Sequence, residues 1–179
     1  SPNTQGLREM QKIESLEILT RELKLIKDEK IIKKNVFIKI DPDSSEKDYD
    51  NILNIVYKNN IDGLVITNTS KSRPSTLTSS LSSLPGGLSG NPIQDISNNV
   101  LESIAKKTNG EITLIGVGGI SSGKDVYKKI KLGASAVQLY TALTYEGSIV
   151  IREIKNELIK LLKNDGFSSV SEAVGSEII

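Results

Sequence analysis

Four short apolar runs, spaced along the chain and separated by segments of helical period, restrict this sequence to few architectures. The runs are Asn35–Ile40, Gly63–Thr67, Thr113–Val117 and Ala136–Tyr140. Each is too short for a helix and rich in branched residues, as strands buried on both faces are. Between them, apolar residues recur every three or four positions. Glu14 to about Lys27 carries Leu16, Leu19, Leu23 and Ile26 on one stripe. Tyr49, Ile52, Leu53 and Val56 form a second stripe behind a capping pair, Ser45 and Asp48. Asp95 is expected to cap a helix carrying Ile96, Val100, Leu101 and Ile104 that stops near Asn109-Gly110. Val126 and Ile130 mark a helix ending at Gly133, and Ile151, Ile154, Leu158 and Leu161 mark the last.

Helices alternating with buried strands define an α/β fold with a parallel sheet. A doubly wound sheet and a section of a barrel share that pattern. The 179 residues suit one domain with a substantial core. The chain opens Ser1-Pro2-Asn3-Thr4, loop-type residues without a Met, so we expect the C-terminal portion of something longer.

Composition removes several chemistries. Cys and His are both absent, which excludes disulfides, Cys/His zinc sites, thiol nucleophiles and Ser-His-Asp triads. Proton transfer is left to Ser, Lys, Tyr, Asp, Glu or a cofactor, and no metal site is expected. A net charge of +1 argues against nucleic acid as a partner. No apolar run approaches the ~20 residues of a spanning helix.

In parallel α/β folds the ligand lies at the carboxyl ends of the strands. Those positions here are Lys39, then Thr67, Asn68 and Thr69, then Gly118-Gly119, then Tyr140-Thr141. The glycines at the third strand end, beside Tyr140-Thr141 at the fourth, suit approach of an anion to backbone N–H groups; they also suit tight turns. Lys39 is a cation inside an apolar run, placed there for a ligand or snorkelling to water. Asn68 and Thr69 can bind an amide- or imide-bearing ligand, or serve the turn. Asp41 and Asp43 read as turn residues leading into a helix. The polar stretch from Asn68 to Gly90 is long for a βα connection, a length typical of lids or disordered segments.

These residues coincide with a family pattern. Ser1-Pro2-Asn3-Thr4-Gln5-Gly6-Leu7-Arg8 resembles a segment of the class 2 dihydroorotate dehydrogenases. The likeness continues through Phe37–Ile40 with Pro42-Asp43, Ile61–Thr69, Ser72-Arg73-Pro74, Gly86–Gly90 with Pro92, Ile115–Gly123 and Gly133–Leu143. The ordered set is specific and covers nearly the whole chain. Asp41 departs from it, standing where relatives usually carry a small apolar residue.

The resemblance implies a (β/α)8 TIM barrel binding FMN. The chain would be roughly its second half, strands five to eight, with residues 1–179 one part of a single FMN-binding barrel domain. It implies oxidation of (S)-dihydroorotate to orotate in pyrimidine biosynthesis, with hydride passed to FMN and then to a quinone. Ser1 matches the active-site base, Thr4 a proton-relay residue and Asn3 an orotate contact. Lys39 matches a catalytic lysine beside the flavin ring. Asn68 and Thr69 match orotate contacts. Thr67, Gly90, Gly119, Tyr140 and Thr141 match FMN contacts, the last three near its phosphate. The quinone would be admitted by an N-terminal region absent here. Membrane association is expected of the full-length protein only, at the mitochondrial inner membrane in a eukaryote or the plasma membrane in a bacterium. Two other readings are a catalytically silent half-barrel and another FMN-dependent barrel oxidoreductase of pyrimidines.

Overall fold

The computed structural model of the chain describes residues 6, 9–10, 12–29 and 34–178. Four strands form one sheet: β1 (Phe37–Ile40), β2 (Gly63–Ile66), β3 (Thr113–Val117) and β4 (Ala136–Gln138). Every neighbouring pair is parallel. Their order across the sheet, β1-β2-β3-β4, is their order in the chain. This separates the two architectures left open by periodicity. A doubly wound sheet reverses its strand order at a switch point. Here no reversal occurs, and right-handed crossovers then set the connecting helices on one face. That is the arrangement of a barrel section.

The helices are α1 (Ile13–Asp28), α2 (Glu46–Lys58), α3 (Gln94–Thr108), α4 (Gly123–Lys131), α5 (Thr141–Glu146), α6 (Ile149–Asn164) and α7 (Val170–Ala173). Ser45 caps α2: its hydroxyl accepts from the Asp48 N–H while the Asp48 carboxylate accepts from the Ser45 N–H. Ser122 and Asp125 make the same reciprocal pair at α4. Each cap is worth about 1 kcal/mol. The cap expected at Asp95 does not form. A 3-10 turn at Asn91–Ile93, containing Pro92, runs directly into α3, so the helix begins two residues earlier and Ile93 is its N-cap. Asp95 sits in the first turn instead, where a carboxylate suits the helix dipole.

The stripe on α1 is also rotated from expectation. Leu16 and Thr20 are buried, whereas Leu19 is 42% exposed. The Thr20 hydroxyl donates to the Leu16 carbonyl at 2.8 Å and accepts from Asn59 Nδ2 at 2.8 Å. Docking at the end of α2 therefore sets the rotation of α1. One core cluster lies beneath α1, α2 and α3, around Val56, Leu64 and Leu101. A second joins α4 to α6, around Val126, Ile130 and Ile154.

β2 is buried throughout, as its apolar run suggests. The other strands are not. β3 alternates, with Leu114 and Gly116 buried, and β4 is largely exposed. Their second face has no covering layer among the described residues. The fourth run also ends early. Tyr140 (φ −136, ψ −59) turns the chain into α5, so Leu139 and Tyr140 are connection rather than strand.

The segment after β2 is tethered. Ser70 and Leu88 exchange backbone hydrogen bonds of 3.1 and 2.7 Å. The Arg73 guanidinium donates to the carbonyls of Ser82 (2.8 Å), Leu84 (3.1 Å) and Gly86 (2.8 Å). Asp43 accepts from Ser70 Oγ at 2.5 Å and from the Lys71 N–H at 2.8 Å. Asp41 is buried, and its carboxylate accepts from the Asp43 N–H and Ser44 Oγ, both at 3.0 Å. Both acids are thus turn residues.

Candidate active site

The carboxyl ends of the four strands open into a cleft of about 370 Å³. Its size falls within the range of small-molecule sites. Eight residues singled out from the sequence line it together: Lys39, Thr67, Asn68, Thr69, Gly90, Gly119, Tyr140 and Thr141. Ser1, Asn3 and Thr4 lie outside the described residues.

Each element contributes by its register. Lys39 pairs with Val65 across the β1–β2 ladder, and its side chain is exposed at the cleft. Among the described residues it is the one charged side chain on the lining, so no acid opposes it there. The chain leaves β2 through a cis peptide between Ile66 and Thr67. The Asn68 N–H donates to the Ile40 carbonyl at 2.7 Å, which fixes that turn against β1.

Thr67 is fully buried, and its hydroxyl has no hydrogen-bond partner among the described residues. The Thr69 hydroxyl is in the same condition. A buried polar group left unpaired costs roughly 1–3 kcal/mol. Two such hydroxyls on one cleft fit a ligand that brings polar atoms to them.

The glycines are glycine for reasons of packing. A Cβ on Gly119 would stand 2.4 Å from Gln94 Cβ and 2.6 Å from its Cα, and φ is +72. The β3 exit can therefore lie against the start of α3 only without a side chain. Gly90 (φ +77) faces Thr141 Cγ2 at 2.9 Å from its Cβ position. Thr141 also donates to Ser89 Oγ at 3.0 Å, tying the tethered loop to the start of α5. The β3 exit and the segment before α3 thus bring Gly118, Gly119 and Gly90 to the cleft, beside Thr141 after β4, while Tyr140 stands at its rim, 80% exposed.

Behind the β3 exit lies a polar layer that sequence reasoning did not find. Gln94 Nε2 donates to the Gly119 carbonyl at 2.9 Å and to Asp125 Oδ1 at 2.6 Å. Burial raises the Asp125 carboxyl, but hydrogen bonds from Ser121, Ser122 and Gln94 outweigh it and hold the group below its ordinary value. Lys129 of α4 is fully buried. It lies three residues past Val126, on the apolar stripe, which is the signal that could have flagged it.

A parallel sheet with sequential strand order, carrying at its carboxyl ends a cleft with one cation and glycine-walled exits, defines a TIM-barrel-type α/β protein with a small-molecule site. The sequence model of the dihydroorotate dehydrogenase family matches residues 1–162. The chain belongs to that family. It is 46% identical over 99% of its length to the mitochondrial dihydroorotate dehydrogenase (quinone) of Oryza sativa subsp. japonica, covering 39% of that protein. It is 45% identical over 98% of its length to the Mus musculus mitochondrial enzyme of the same name, covering 45% of it. The crystal structure of ligand-free DHODH from Eimeria tenella superposes with a TM-score of 0.91 at 34% identity, over 99% of this chain and 53% of that one. The chain spans about half the length of the relatives it matches.

Proposed function

We propose that the protein containing this chain oxidises (S)-dihydroorotate to orotate in pyrimidine biosynthesis, using bound FMN and passing electrons to a quinone. Family membership supports the activity, and the quinone follows the names of the relatives. The observation that carries the reading is the cleft itself. At the carboxyl ends of β1 to β4 it gathers a cation, two buried hydroxyls unpaired among the described residues, and glycines from the segment after β2 and the exit of β3. In this reading residues 1–179 form part of a single barrel domain and supply its strands five to eight.

These residues fit FMN. When bound, the flavin supplies the hydride acceptor; the protein orients and stabilises. Lys39, the charged side chain on the cleft lining among the described residues, would favour the reduced, negatively charged ring of a flavin bound there. Thr67, whose hydroxyl has no partner among the described residues, would donate it to the flavin when bound. Gly90, Gly119, Tyr140 and Thr141 hold the ribityl phosphate end. Asn68 and Thr69, with Asn3, hold the carboxylate and imide groups of orotate. Ser1 takes the proton from C5 of dihydroorotate, assisted by Thr4. None of these roles needs His or Cys, which the chain lacks.

The quinone and its membrane contact belong, in this reading, to sequence outside this chain. No helix among the described residues is long and apolar enough to cross a membrane. The site of action is the mitochondrial inner membrane in a eukaryote or the plasma membrane in a bacterium. The test is mass spectrometry of the flavin released from the purified full-length protein, followed by turnover with dihydroorotate and a soluble quinone. FMN with orotate formation supports the reading. FAD, or no flavin, contradicts it.

A further inference from the structure

Lys129 has a position that packing alone does not justify. Its side chain is fully buried between α4, α3 and β3. β3 makes room by omitting a side chain: a Cβ on Gly116 would stand 3.0 Å from Lys129 Cδ and 3.3 Å from Lys129 Cβ. The ammonium donates to Ser97 Oγ and to Asn98 Oδ1, each at 2.8 Å. Both acceptors are neutral, and no ion pair to Lys129 forms among the described residues. Burying an ammonium on neutral partners costs several kcal/mol, and a hydrophobic side chain of similar volume would fit such a site at less cost.

The ammonium points toward the cleft floor. Ser97 Oγ, which accepts from Lys129, donates in turn to the Val117 carbonyl at 2.5 Å. The same Ser97 Oγ lies 3.1 Å from the Cβ position of Gly118. Val117, Gly118 and Gly119 line the cleft. One hydroxyl therefore separates a buried positive charge from Val117 and Gly118, the backbone that leads directly into Gly119, which is assigned above to the phosphate.

We propose that Lys129 is a positioning residue for the phosphate end of the ligand, holding the β3 exit through Ser97 and supplying its positive potential from behind. The inference rests on the cleft being the flavin site and deepens it. Two charges brought together in a low-dielectric interior interact strongly without contact. The bound dianion and the ammonium then stabilise each other, so phosphate affinity follows the protonation of Lys129.

The surroundings permit that coupling. Asp125, on the same helix, acts on Lys129 from a distance and favours the charged form, but its carboxylate is engaged by Gln94, Ser121 and Ser122. α3 presents neutral Ser97 and Asn98, β3 presents Gly116, and the turn after α4 presents Ala134. The Glu157 carboxylate of α6 is held by the Gly123 N–H at 2.6 Å. Burial brings the ammonium down to about 8, against the pull of Asp125. A ligand phosphate completes its second ionisation near pH 6 and stays dianionic above it.

The experiment titrates full-length apoprotein with FMN and with riboflavin, which lacks the phosphate, from pH 6.5 to pH 9.5, in wild type and Lys129→Met. In wild type, FMN affinity should fall about tenfold relative to riboflavin as pH passes 8. Lys129→Met should bind FMN about tenfold more weakly at pH 7, lose that pH dependence, and bind riboflavin as wild type does. An FMN-to-riboflavin ratio that is flat with pH in wild type overturns the proposal without any variant. Equal weakening of both flavins in Lys129→Met overturns it too, since that marks a merely structural lysine. In both cases the flavin reading survives. A wild type that binds neither flavin overturns both.

Discussion

The Gly119 carbonyl accepts a hydrogen bond from the Gln94 side chain at 2.9 Å, and a Cβ on Gly119 would stand 2.4 Å from Gln94 Cβ. The β3 exit and the first turn of α3 are thus locked by one polar and one steric contact. Gly119→Ala should cost about 2–4 kcal/mol, from overpacking together with a left-handed alanine. It should also weaken FMN binding. Urea unfolding and a flavin titration check both; a variant as stable as wild type would show that the two elements can separate freely.

Thr67 makes the opposite prediction. Its buried hydroxyl has no partner among the described residues, so Thr67→Val should leave the flavin-free protein equally stable, or more stable by about 1 kcal/mol. FMN affinity should drop roughly tenfold, the loss of one good hydrogen bond. A destabilised variant with normal flavin binding would make the hydroxyl structural.

With Lys39 in its proposed role, Lys39→Met should lower the midpoint potential of bound flavin, because the reduced, anionic ring would lose a neighbouring cation. Redox titration against a reference dye reads the change. An unchanged potential would leave Lys39 as a solvated side chain at the mouth of the cleft.

Lys129 ties stability to pH in a definite direction. Its folded value of about 8 lies below the ordinary 10.5. Between these values the unfolded chain holds a proton that the folded chain has lost, so this group makes stability rise with pH across that window. Below pH 8 it costs the fold on the order of 3 kcal/mol. Lys129→Met should therefore be at least as stable as wild type at pH 7, and the advantage should shrink toward pH 10. Chemical unfolding at the two pH values tests the sign. A variant much less stable at pH 7 would mean that the lysine's hydrogen bonds outweigh its burial.

Periodicity and local chemistry made much of this legible. Ser45 and Asp48 announce the start of α2, and the apolar runs place β1 to β3 within a residue or two. Lys39 stood out because a cation in an apolar run is costly. Strand order did not, since it is a property of crossovers and not of any one segment. Asp95 misled because Pro92 began the helical path upstream of it. Lys129 falls on the apolar stripe three residues past Val126, but Lys128-Lys129-Ile130-Lys131 reads as a solvated face; the rotation of α4 and the absence of a side chain at Gly116 then show that this one lysine is interior.

The most direct test of the account is an anaerobic half-reaction. Full-length protein with its flavin oxidised is mixed with dihydroorotate, and flavin absorbance is followed in a stopped-flow instrument. The account predicts bleaching with one orotate formed per flavin. It also predicts that Ser1→Ala slows bleaching by about 10²–10⁴ while orotate still binds. A flavin that stays oxidised in the presence of dihydroorotate would contradict the proposed function at its centre.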